Sequence, residues 1–111
     1  MLTLPSDIKI YLAREATDMR KSIYGLSSLV VNTLKLSPKQ AALFVFFNKS
    51  KNKIKILYWD RNGFAVWYKI LAQGRYRLPD LKQAVVKLSV SDLNCILEGI
   101  DLLHGQRFHL L

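Results

Sequence analysis

Residues 42–70 read ALFVFFNKSKNKIKILYWDRNGFAVWYKI, three strand-length apolar runs broken by two short polar segments. β-branched and aromatic residues dominate the runs, so this stretch predicts consecutive β-strands. Ala42–Phe47 is apolar throughout, as a buried strand requires. Residues 48–52 are polar and turn-forming, so Lys53–Asp60 follows as the second strand of a hairpin. Asn62-Gly63 is a type I′ turn signal, because both central positions of that turn need positive φ. It leads into a third strand, residues 64–70. With Asn62 and Gly63 as the two loop residues, Trp59 faces Val66 and Leu57 faces Tyr68. Lys53, Lys55, Leu57, Trp59, Val66 and Tyr68 then share one side of the sheet, and Ile54, Ile56, Tyr58, Ala65 and Trp67 the other. Both sides are apolar enough to need partial cover, while the lysine end of the strand projects beyond the covered core.

The remaining elements follow from period and capping. An extended segment at residues 8–12 precedes a helix over residues 19–35, with Thr17 and Asp18 offering N-cap oxygens. Met19, Ile23, Leu26, Val30 and Leu34 form one apolar stripe. Arg20, Lys21, Tyr24, Ser28, Asn32 and Lys35 turn elsewhere, as plain solvent surface or as part of an anion-contacting surface. Pro38 ends the helix by disfavouring helical angles in the residue before it. "GRYRL" at residues 74–78 predicts a fourth strand, with Arg75 and Arg77 on one face, and Val85–Leu88 a further one. Ser89 and Asp92 fit a capping pattern ahead of Leu93, Ile96, Leu97 and Ile100, and Gly99 stops that helix. The order gives an α+β domain spanning all 111 residues, a mainly antiparallel sheet of four to five strands packed with two helices.

Charge narrows the functional classes. The chain carries 17 Lys and Arg against 8 Asp and Glu, a net charge of +9, which favours polyanionic partners. From Met19 to Trp59 there are basic residues at Arg20, Lys21, Lys35, Lys39, Lys49, Lys51, Lys53 and Lys55 and no acid at all. Basic side chains also interleave with aromatics at Lys55, Tyr58, Trp59, Arg61, Trp67, Tyr68, Lys69, Arg75, Tyr76 and Arg77, a mixture suited to phosphate contact and base stacking. The candidate nucleic-acid contacts are Arg20, Lys21, Lys49, Lys51, Lys53, Lys55, Arg61, Arg75 and Arg77. The competing reading of the lysines is a solvated edge whose charges block aggregation, and that of the tryptophans is burial in the sheet.

Catalysis finds little support. Asp18 and Asp92 read as helix-start residues and Asp60 and Asp80 border turns, which leaves no carboxylate set for a magnesium-dependent nuclease. His104, His109 and the one cysteine, Cys95, match no structural zinc spacing, and the glycines are too scattered to cradle a phosphate. We expect no catalytic residue, no metal and no cofactor. No window approaches the roughly 20 apolar residues of a membrane span and no signal peptide is legible, so a cytoplasmic protein without membrane contact is expected.

"TDMRKSIYGL", "LFVFFN", "KILYWDRNGFAVWYK", "GRY" and "LEGID" together resemble, in order and spacing, the small accessory protein encoded by the second reading frame of insertion sequence 66 family elements. The resemblance implies a bacterial transposition protein working beside a separate, larger transposase, with DNA, the transposase and other proteins of the element as partners. It carries over no catalytic residues. A protein adaptor that docks on the transposase without recognising DNA is the alternative, and a small metal-dependent nuclease a distant third. In one departure, the loop usually rich in arginine is lysine and asparagine here, at residues 49–53, and lysine is a point charge without arginine's bidentate fork.

Overall fold

The computed structural model describes residues 7–99. Its elements run β1 (Lys9–Ala13), α1 (Ile23–Asn32), β2 (Ala42–Phe47), β3 (Lys53–Asp60), β4 (Gly63–Ile70), β5 (Val85–Leu88) and α2 (Val90–Glu98). The strands form one sheet in the order β4-β3-β2-β1-β5. β1 and β2 are parallel, with Leu12 opposite Val45, and the other three pairings are antiparallel. The architecture is the expected α+β fold with a mostly antiparallel sheet. Expectations placed on residues 1–6 and on Ile100, Asp101, His104, His109 and the tail lie outside the described residues.

β2 is buried along its whole length because both sheet faces are covered. On one face Phe44, Phe46, Leu57 and Tyr11 pack with Leu26 and Val30 of α1. On the other, Leu12, Leu43, Val45, Ile54 and Ile56 pack with Leu93, Ile96 and Leu97 of α2 and with Tyr76 from the β4–β5 connection. A parallel pair needs a crossover, and α1 is that crossover.

Three expected boundaries change. The first helix begins at Ile23 rather than residue 19, with Ser22 as N-cap. The preceding residues are otherwise engaged: the Thr17 amide donates to the Phe47 carbonyl at 2.8 Å, and Asp18 folds a turn in which its carbonyl accepts from the Lys21 amide. The helix also ends early, at Asn32, and Lys35 follows in the left-handed region at φ 58°. Met19 and Leu34 still reach the α1-side core, so the apolar stripe holds where the helix does not. The second change is the β3–β4 turn, which uses Arg61 and Asn62, with Asp60 opposite Gly63 and Trp59 opposite Phe64. Only Arg61 has positive φ, 55°, so the turn is not type I′. The register moves by two residues, an even number, so each residue keeps the side assigned to it. Third, residues 74–78 are not a strand. Tyr76 turns inward against Phe47, ring centroids 5.3 Å apart, while Arg75 and Arg77 stay exposed.

α2 is built as its sequence reads. Ser89 Oγ accepts from the Asp92 amide, the Asp92 carboxylate accepts from the Ser89 amide, both at 3.0 Å, and Gly99 caps the end at φ 81°.

Two side chains tie layers together. Lys55 rises from β3 on the α1 side, and its ammonium donates to the carbonyls of Met19 (2.7 Å) and Lys21 (3.0 Å). It closes carbonyls of the loop that leads into α1. Tyr76 fills the opposite side, its hydroxyl buried without a hydrogen-bond partner among the described residues.

Lys55→Ala is expected to lower the unfolding free energy by about 1–3 kcal/mol, since two charge-assisted bonds are lost. Lys49→Ala should stay within about 0.5 kcal/mol. Equal shifts in urea midpoint for the two variants would refute the brace. For Tyr76, burial pushes the phenol up to about 12 from 10.0, so the folded state holds its proton where the unfolded chain has released it. The stability tied to that difference is fully present below pH 10 and is lost as pH rises toward about 12. Tyr76→Phe removes both the titration and the unpaired hydroxyl. It should match or exceed the parent by up to about 1 kcal/mol near neutrality, with the gap widening above pH 10. Urea unfolding of both proteins across that range is the check.

Candidate nucleic-acid interface

The strand registers decide which loops meet. Ala13 lies opposite Val85, Phe47 opposite Ile54 and Lys53 opposite Ile70, so β1 and β2 end, and β3 and β5 begin, at the same end of the sheet. The β1–α1 loop, the β2–β3 loop and the β4–β5 connection all gather there. Between them they carry Arg20, Lys21, Lys49, Lys51, Arg75 and Arg77, with Lys53 at the base of β3.

The β2–β3 loop is fixed at its backbone. Asn48 Oδ1 accepts from the amides of Asn52 (3.1 Å) and Lys53 (3.0 Å), and Asn48 Nδ2 donates to Asn52 Oδ1 at 2.7 Å. The Lys51 amide donates to the Asn48 carbonyl, and Lys51 adopts the left-handed conformation at φ 58°. Its carbonyl accepts from the Tyr76 amide at 2.7 Å. That bond sets Arg75 and Arg77, the neighbours of Tyr76, beside the lysine loop. Lys49, Lys51 and Lys53 form no ion pair among the described residues.

A groove runs between the β1–α1 loop and the β2–β3 loop with the adjoining β3–β4 hairpin. Thr17, Asp18, Met19 and Arg20 form one wall, and Asn48, Lys49, Lys53 and Tyr68 the other. Arg20 is held in a fork by Asp18, with Nε at 3.1 Å from each carboxylate oxygen and Nη2 at 2.7 Å from Oδ2. The side-chain and backbone hydrogen bonds from Arg20 hold the Asp18 carboxyl down at about 2, so the pair stays ionised well into the acid range. Arg20 is thereby oriented, and partly neutralised.

The other candidate residues divide. Lys21 lies against Gly25 of α1, where a Cβ would come within 3.3 Å of its own Cβ, and it lines a small apolar cleft with Leu29 and Phe46. Lys55 is committed to the Met19 and Lys21 carbonyls, and its ammonium also sits 4.8 Å from the centroid of Tyr68. Arg61 is at the far end of the sheet, beside Asp60 (3.4 Å), about 23 Å away along β3 at ~3.3 Å per residue. Lys39 is drawn toward that end as well, over the Trp59 ring at 5.5 Å. Trp59 and Trp67 are half-buried, Trp59 edge-on to Phe64 and Trp67 against the α2-side core.

Two residues outside the candidate contacts join the basic end. Arg14 follows β1 and approaches Lys51 across a shallow depression with Asp80, and Tyr68 forms part of the groove wall. The parallel pairing that brings Arg14 there leaves no local mark in sequence. Tyr68 was legible as one aromatic among several basic residues, but its exposure was not.

Among the described residues no three His, Cys, Asp or Glu side chains gather to hold a metal ion, and no helix is long and apolar enough to cross a membrane. No solved structure matches the chain. It is 32% identical over 106 residues to y4hO, an uncharacterized protein of Sinorhizobium fredii (strain NBRC 101917 / NGR234), covering 96% of this chain and 92% of the relative. It is 28% identical over 94 residues to y4jC of the same organism, also uncharacterized, covering 85% and 80%. The model of the IS66 Orf2-like proteins matches residues 8–107. A match over nearly the whole chain places the protein in the IS66 Orf2-like family of accessory proteins encoded by insertion sequences.

Proposed function

We propose that this protein is a non-catalytic DNA-binding subunit of the transposition complex, gripping phosphates with the basic end of its sheet while a separate transposase carries out the chemistry. The observation that carries the reading is the convergence of three loops that bring Lys49, Lys51, Lys53 and Arg75 together with no ion pair given to the lysines. A solubilising coat would spread such charges. Here a backbone fixed by Asn48 keeps Lys49, Lys51 and Lys53 at one end of the sheet. Lysine ammoniums on flexible stems suit sequence-independent phosphate contact rather than base reading.

An adaptor role on the transposase draws on a different surface. Tyr24, 84% exposed, and Val31 both stand out from α1, on an element that contributes nothing to the lysine loop. The two readings separate by which variant loses which partner.

The triple variant Lys49→Ala, Lys51→Ala, Lys53→Ala should bind duplex DNA more weakly whatever its sequence. Its log–log salt dependence should be shallower by up to about 2.7, from about 0.9 per lost phosphate contact. Arg61→Ala, at the opposite end, should behave as the parent. Titrations of a labelled terminal inverted repeat and a scrambled duplex between about 50 and 200 mM salt measure both quantities. Unchanged affinity in the triple variant would remove the lysine loop from DNA binding. Retention of the transposase in a pull-down by that same variant, with loss on Tyr24→Ser, would favour the adaptor.

A further inference from the structure

Tyr68 is 43% exposed on the outer strand of the sheet, with no strand beyond β4 among the described residues. On a half-covered sheet an exposed tyrosine is ordinary. This one is unusual in its setting. It lies in the groove with Arg20, Lys49 and Lys53. Its ring is also held: the Lys55 ammonium lies 4.8 Å from the ring centroid, and that ammonium is itself anchored by the Met19 and Lys21 carbonyls at 2.7 and 3.0 Å. A tether from the α1 entry loop through Lys55 to the ring thus fixes a π-surface among basic side chains.

Duplex DNA offers such a ring nothing, because its base faces are already stacked on one another inside the helix. An unstacked base offers a π-face of its own. The combination of a cationic groove to follow the backbone with an aromatic to receive bases is the arrangement by which single strands are bound without sequence preference. Ile70, 55% exposed, follows two residues further along the same side of β4, about 7 Å on. Resting on the DNA-binding reading above, we propose that the groove between the β1–α1 loop and the β2–β3 loop with the adjoining β3–β4 hairpin is a single-strand DNA site in which Tyr68 stacks on a base while Arg20, Lys49 and Lys53 hold the flanking phosphates.

The test compares the parent, Tyr68→Ala, Tyr68→Leu and Tyr68→Trp on an oligothymidylate of about 15 nucleotides and on a duplex of equal length at low salt. Thermal melts of each variant confirm folding. Tyr68→Leu keeps apolar bulk on the strand but has no π-face, so it separates stacking from packing. Tyr68→Ala and Tyr68→Leu should bind the single strand roughly 5- to 100-fold more weakly, change duplex binding by less than about 2-fold, and Tyr68→Trp should restore the single-strand affinity. Single-strand affinity unchanged in folded Tyr68→Ala and Tyr68→Leu overturns the proposal, as does an equal loss on both probes. A parent that binds duplex but not the oligothymidylate overturns it while leaving the DNA-binding reading standing. A parent that binds neither removes both.

Discussion

The parallel pairing of β1 with β2 is the constraint on which the rest of the molecule depends. It puts a strand that is apolar on both faces in the middle of the sheet, obliges α1 to cross over one face, and leaves the other to α2 and Tyr76. Without both covers the aromatic residues Phe44, Phe46 and Phe47 would meet water. At about 25 cal/mol per Å² of apolar surface that is a large fraction of the stability a domain of this size possesses. The same pairing also has a consequence at the surface. Because β1 and β2 run the same way, the loops that follow them emerge side by side, and the Thr17 amide locks the first against the last residue of β2. A basic loop next to another basic loop is thus the product of core topology.

Within that frame, four lysines that alternate along one segment have different duties. Lys53 and Lys55 lie on the same side of β3, yet Lys55 reaches inward to two backbone carbonyls and a tyrosine ring, whereas Lys53 lines an open groove. What separates them is height along the strand relative to the α1 entry loop. One residue pair, about 7 Å, decides whether an ammonium is used to join two layers or left for a partner. Arg20 shows a third outcome, a guanidinium aimed by a carboxylate whose pKa its hydrogen bonds lower to about 2.

Strand content was legible in the sequence because it rests on local signals. Ala42–Phe47, Lys53–Asp60 and Val85–Leu88 were read with their observed limits, and the Ser89–Asp92 cap needed only four residues to declare itself. The β3–β4 register shows how a wrong turn can leave a right sheet: a shift of two residues preserves every face. What was not legible depended on tertiary partners. Asp18 looks like a helix cap, but Arg20 two residues later takes both carboxylate oxygens, and the helix waits for Ser22. "GRYRL" alternates as a strand does, yet its one backbone bond to the lysine loop and the burial of Tyr76 make it a plug. Arg61 and Lys49 look equivalent in a charge count, and only the strand directions put them at opposite ends.

The lysine loop combines a rigid backbone with mobile charges, and that combination constrains what it can recognise. Asn48 and the bond from the Tyr76 amide fix where Lys49 and Lys51 leave the main chain, so little backbone entropy remains to be lost on binding. The side chains remain free, and in water their mutual repulsion is weak, about 0.4 kcal/mol for charges 10 Å apart before salt screening. On the DNA-binding reading proposed above, such side chains accommodate small differences in phosphate position, which suits contact with a nucleic-acid backbone rather than with its bases. Reading bases would take planar donors held in register. The planar donors at this end are guanidiniums: Arg20, with Nε and Nη2 on Asp18, and Arg75 and Arg77, exposed beside the loop. On that same reading, lysines at residues 49–53 supply grip, and any choice among DNA sequences falls to groups other than them.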